Sequence, residues 1–145
     1  MKFHRMIFLL LAVASLISCS QKQKVEEQSD QADDSEWAEM DSFHLILAEA
    51  FHPYKDSANL EPVKRLAGEM ADHAEEWVYT ALPDKVNNDD MQMKLNQLKT
   101  DTRVLYDKIT AGASDEEIGS LLSALHEGFH GIMEAWSGEG HQHKH

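Results

Sequence analysis

The residues of this sequence that are best placed to do chemistry are two histidines one helical turn apart. His126 and His130 are separated by three residues within a stretch of helical periodicity, so both imidazoles project from one helix face, and Met133 continues that face. A histidine pair at this spacing is a common way to present two nitrogen ligands to one ion. The pair therefore predicts a metal site.

Two further histidines, His44 and His73, extend this pair into a candidate ligand set. At a rise of about 1.5 Å per residue, the four histidines fall in one band about 12–22 Å from the end at which the first predicted helix meets the second. A third imidazole from His44 or His73 would complete the histidine-rich shell that suits zinc or copper. Thioether sulfurs at the same depth, from Met40 and Met70, would favour copper(I).

The same residue types also have simpler interpretations. Asp101 falls in the band and is predicted to orient a ligand imidazole, whereas His52, next to Pro53, is predicted to cap the last carbonyls of the first helix. A histidine at the edge of a seam is often only a hydrogen-bonded core residue, and methionines at helical spacing often only fill a core. Both interpretations stay open for the individual side chains.

The elements that must position these residues are four helices. Apolar residues recur at intervals of three and four in four successive stretches, which predicts an all-α, up-down-up-down four-helix bundle over residues 35–138. The predicted boundary signals are Ser35 and Pro53 for the first helix, Asn59 with Pro62 for the second, Asn88 and Gly112 for the third, and the capping box Ser114–Glu117 with Gly138 for the fourth.

The residues before the bundle predict where in the cell the protein is located. Lys2 and Arg5 precede an apolar run over residues 7–17 that is too short to span a bilayer comfortably, and a small residue, Ser18, precedes the single cysteine, Cys19. This stretch resembles the lipobox of bacterial lipoproteins. The resemblance implies a signal peptide over residues 1–18 and an acylated Cys19 as the first mature residue. Ser20 after the cysteine implies passage to the outer membrane.

The composition of the chain distinguishes a tether and a tail from the bundle, and its charge indicates which kinds of partner are disfavoured. Residues 19–34 are polar and predict a disordered linker, and residues 139–145 form a histidine-rich tail that would collect metal only loosely. Without Lys2 and Arg5 the chain keeps 26 acidic residues against 11 Lys and Arg. That balance disfavours nucleic acid and anionic lipid as partners, so membrane attachment is expected to come from the acyl chains.

A second resemblance concerns the bundle itself. Residues 40–136 are similar in length and layout to the soluble periplasmic cytochrome b four-helix bundles, with matches at Met40, Met70, Leu82–Pro83 and Phe129–His130. The resemblance implies haem b held by Met40 and His130 as axial ligands. The chain departs from that family at His44, His73 and His126, which a haem-lined interior does not require.

Three functions remain open from the sequence. The first is a membrane-anchored metal-binding lipoprotein, a zinc or copper buffer, sensor or chaperone. The second is a haem b electron-transfer bundle, and the third is an interaction module with incidental histidines. Enzymatic activity is not expected, because the sequence has no serine nucleophile motif and no signal for an open metal position. The Glu-x-x-His motif from Glu127 to His130 is weak support for a di-iron site, which also needs inward-facing glutamates from two further helices.

Overall fold

A computed structural model describes residues 36–138, which form four α-helices and one short 3-10 turn. The elements are α1 (Ala38–Ser57), α2 (Glu61–Val78), the 3-10 turn (Asp84–Val86), α3 (Asp89–Thr110) and α4 (Asp115–Ser137). This confirms the all-α four-helix prediction. The predicted signal peptide, Cys19, the tether and the tail lie outside the described residues. Among the helices described, none is long and apolar enough to cross a membrane.

Asn88 and Ser114 cap α3 and α4 as predicted, but within the described residues the reciprocal half of the capping box, from the Ser114 amide to the Glu117 carboxylate, is not formed. The Asn88 side chain accepts a hydrogen bond from the Met91 amide at 2.9 Å, and the Ser114 hydroxyl accepts one from the Glu117 amide at 3.2 Å. The Glu117 carboxylate accepts a 2.5 Å bond from Lys108 of α3, which ties the two helices together at this turn. Gly138 ends α4 in the left-handed conformation, at φ 76°.

The predicted end of α1 is wrong. The helix continues through Pro53 to Ser57, although proline removes one backbone donor from a helix interior. Phe51 and Tyr54 on either side of the proline both pack against the core, and this tertiary contact outweighs the local signal. His52 consequently lies inside α1, so its predicted role as a cap of the last carbonyls is also wrong.

The core is richest in aromatic rings around Phe43. This ring is fully buried and lies 5.3 Å from Phe129 and 5.9 Å from Trp77, centroid to centroid, while Trp77 makes an edge contact with Trp37 at 5.0 Å. The same core contains four apolar residues of α3, namely Met91, Leu95, Leu98 and Leu105. One contiguous cluster therefore joins all four helices.

Helices α1 and α4 meet along a seam that we call the α1–α4 seam, made by His44, Phe51 and Tyr54 of α1 and Gly119, His126 and Phe129 of α4. His44 stacks on Phe129 and Phe51 stacks on His126, so the two helices run antiparallel. A methyl group added at Gly119 would lie 2.5–2.7 Å from three atoms of the Tyr54 side chain, the hydroxyl oxygen and two ring carbons. The absence of a side chain at Gly119 therefore allows this close approach.

The close packing at the seam predicts different outcomes for an alanine at two glycines of α4. An alanine at Gly128, which is exposed with open space around it, is expected to stabilise the protein by about 0.5–1 kcal/mol through helix propensity. Gly119→Ala gains the same propensity but must displace Tyr54, so its stability is expected to fall below that of Gly128→Ala. Thermal and urea unfolding followed by circular dichroism measure both variants. Equal stabilisation would show that Tyr54 moves freely.

Candidate metal centre

His126 and His130 lie together on α4, as their spacing predicts. Their Nε2 atoms are 3.3 Å apart, and the ring centroids are 4.5 Å apart with the rings inclined at 61°. His130 is exposed and His126 is half-buried. The arrangement presents two nitrogen atoms to the same small volume, and solvent reaches that volume from the His130 side.

Phe51 fixes one of these rings. Its phenyl group stacks on the His126 imidazole at 3.7 Å between centroids and only 11° between planes. Burial is the main cause that lowers the pKa of His126 below its usual value of 6.5; the positive charges of His130, Lys55 and His52 act in the same direction and Glu127 opposes them. At neutral pH this imidazole is therefore uncharged, which is the form that binds metals.

His44 and His73 share the depth of the pair but not its position. Since α1 ends at Ser57 and α2 begins at Glu61, His44 and His73 lie about 20 Å and about 18 Å from the end of the bundle at which these two helices meet. His44 is exposed and stacks on Phe129, whereas His73 meets the edge of Phe43 from α2. Over residues 36–138 no three or more His, Cys, Asp or Glu side chains are grouped to hold an ion.

The remaining predicted ligands lie elsewhere. Met70 is fully buried and Met40 nearly so, both within the apolar core. The Asp101 carboxylate accepts a 2.8 Å hydrogen bond from Gln97 on the same helix. The side-chain Nδ1 of His73 is buried with no hydrogen-bond partner within residues 36–138, so no carboxylate orients the ring through this atom. Of the predicted set, only His126 and His130 are brought together.

Haem b does not fit the positions that the cytochrome resemblance implies. Met40 is buried in the core, whereas His130 is exposed and its Nε2 faces His126. The core cluster to which Met40 belongs also contains the contacting rings of Phe43, Trp77 and Phe129. A macrocycle would have to displace these aromatic contacts. A pocket of about 860 Å³ is found instead between the start of α3 and the end of α4, lined by residues such as Asp90, Lys94 and Glu134.

Sequence reasoning missed the contribution of α1 to the centre. Phe51 packs against the core cluster, and its ring also covers one face of the His126 imidazole. Lys55, one turn further, adds positive charge near the same imidazole. A second stripe runs along α1 beside the buried residues Met40, Phe43 and Leu47. It consists of residues at intervals of four, three and four, namely His44, Ala48, Phe51 and Lys55. That pattern is the signal that could have placed Phe51 at the seam.

Comparisons with protein-family models, with curated proteins and with solved structures find no match to this chain.

Proposed function

We propose that this protein is a membrane-anchored metal-binding lipoprotein of the cell envelope that holds a zinc or copper ion through His126 and His130. Binding, not catalysis, is the role proposed, as buffer, sensor or chaperone for the ion. The observation that carries the proposal is the 3.3 Å separation of the two Nε2 atoms on one face of α4. The lipoprotein part rests on the lipobox resemblance at Cys19.

The separation suits one shared ion. Zinc–imidazole bonds of about 2.0–2.1 Å, drawn to two nitrogens 3.3 Å apart, enclose an angle of about 104–111° at the metal. This is close to the tetrahedral angle. The two nitrogens therefore already lie at the separation that a shared ion requires, and the ion would replace the hydrogen bond between the two imidazoles.

The surroundings of the pair favour a bound ion that can be exchanged. Phe51 holds the His126 ring in place and excludes water from one side of it, which preorganises one ligand. His130 is exposed, so an ion can enter and leave without opening the bundle. Such access is what a buffer or a chaperone requires.

Metal titration of matched variants tests the proposal. The full chain is purified in detergent with His141, His143 and His145 changed to alanine, so that the tail does not bind the metal, and is titrated with Zn²⁺ and with copper in a calorimeter. His126→Ala/His130→Ala is expected to weaken binding more than about 100-fold, because even outer partners of a metal ligand contribute about 10–100-fold. His44→Ala/His52→Ala, which removes two other exposed histidines of the same bundle, is the control.

Two results would contradict the proposal. Equal affinities for the double variant and its control would place the metal elsewhere, and an absence of binding to the unaltered pair would leave the interaction module as the explanation of the bundle. A Soret band in the purified protein would favour the haem alternative. Circular dichroism of every variant establishes that the helices are intact.

A further inference from the structure

We propose that Met133 is the third ligand of this centre and that the centre selects copper(I) over zinc. The inference rests on the proposed function, since it requires a metal at His126 and His130. The thioether of Met133 would distinguish between the two metals. Three observations carry it: the position of Met133 on α4, its packing, and the donor types available around the pair.

The position follows from helix geometry. His126, His130 and Met133 are related as i, i+4 and i+7, so at about 100° per residue they fall within about 60° of the helix circumference. Side chains of a helix lean towards its N-terminus. The Met133 side chain therefore extends from the following turn back towards His130, and its sulfur can reach the ion held by the pair.

Packing restrains Met133 without removing it from solvent. The side chain is half-buried and rests against the core cluster, whereas a surface methionine such as Met93 is 65% exposed. Resting against the core limits the rotamers that the thioether samples, and partial exposure leaves part of the side chain at the surface of α4, where the ion would lie. A flexible, polarizable thioether can adjust to that ion with little strain.

The donor set then selects the metal. Zinc in proteins is almost always held by four nitrogen, sulfur or oxygen ligands, and within residues 36–138 no further His, Cys, Asp or Glu joins the pair. Copper(I) is satisfied by fewer ligands and prefers soft ones, among them thioether sulfur and imidazole nitrogen. An angle of about 104–111° between the two nitrogens is strongly bent, so one side of the ion stays open to the sulfur.

The test compares Met133→Leu with Met93→Leu in the full chain lacking the tail histidines. Leucine and methionine are similar in volume, so both variants are expected to fold. Under anaerobic conditions, competition with a chromophoric copper(I) chelator is expected to show at least a tenfold weaker copper(I) affinity for Met133→Leu and an unchanged affinity for Met93→Leu. Zinc affinity is expected to be the same in all three proteins.

A direct readout accompanies the affinities. With methyl-labelled methionine, addition of copper(I) is expected to shift the Met133 methyl resonance in the NMR spectrum and to leave that of Met93 in place. If copper(I) and zinc both bind through the histidines but Met133→Leu changes neither affinity, the inference is overturned and the proposed function stands. If the histidine pair binds no metal, both are overturned.

Discussion

Replacing Phe43 with alanine is expected to lower the free energy of unfolding by about 3–5 kcal/mol, the largest stability loss that we expect from a single substitution in this bundle. Phe43 is fully buried and its ring contacts three others, those of Phe129, Trp77 and His73. Truncation removes buried apolar area and leaves a cavity that rigid aromatic neighbours fill poorly. Urea denaturation followed by circular dichroism measures the loss.

The matched control is Phe51→Ala, the same truncation on the same helix at a half-buried position of the seam. Its expected loss is smaller, because solvent already reaches the ring and water can fill the space left behind. Native domains of this size are stable by only about 5–15 kcal/mol, so Phe43→Ala is expected to unfold at much lower urea concentrations than the control. Equal losses would contradict a core organised around Phe43.

The residues at which the helices begin and end show which parts of the fold could be predicted from the sequence. Asn88, Ser114 and Gly138 act on backbone groups within a few residues of themselves, so their effect can be inferred from neighbouring residues alone. Pro53 is also a local signal, but its cost is outweighed by Phe51 and Tyr54, which pack against the core. Such a balance depends on residues distant in the chain, which periodicity does not specify.

The candidate metal centre shows the same difference between local signals, which the sequence predicts, and tertiary contacts, which it does not. His126 and His130 are one turn apart on a single helix, so their meeting needs no knowledge of tertiary structure. The prediction for His44 and His73 used depth along the bundle, which helix rise gives well. Depth does not fix the direction in which a side chain points around its helix. His44 lies against Phe129 and His73 against Phe43, so equal depth did not bring either into a three-ligand group.

The second large effect concerns attachment to the membrane. Replacing Cys19 with serine is expected to abolish acylation, so that the protein lacks the mass of the lipid and incorporates no labelled palmitate. Because a serine at this position also blocks the cleavage implied by the lipobox, the uncleaved apolar run would still hold the chain in the membrane. A second variant therefore carries an ordinary secretory signal in place of residues 1–19 and begins at Ser20 after cleavage.

This second variant is expected to leave the membrane fraction entirely. Even one acyl chain binds a bilayer only marginally, and stable anchoring needs a further chain or a basic patch. The variant carries no acyl chain at all. From residue 20 onward the chain has 26 acidic residues against 11 Lys and Arg, so head groups of anionic lipids repel it. Across residues 36–138 no helix can span the bilayer. The expected release of this variant therefore tests the proposed lipid on Cys19 as the membrane anchor.

Fractionation on a sucrose gradient measures the distribution of the protein among the soluble, inner-membrane and outer-membrane fractions. Ser20→Ala keeps the cysteine and is the control, expected to remain in the outer-membrane fraction. Sedimentation of the chain that begins at Ser20 with membranes would contradict the acyl anchor and point to a protein receptor for the acidic bundle. Metal titration of that released chain should then match the anchored protein, since His126 and His130 are positioned by α1 and α4 and not by the membrane.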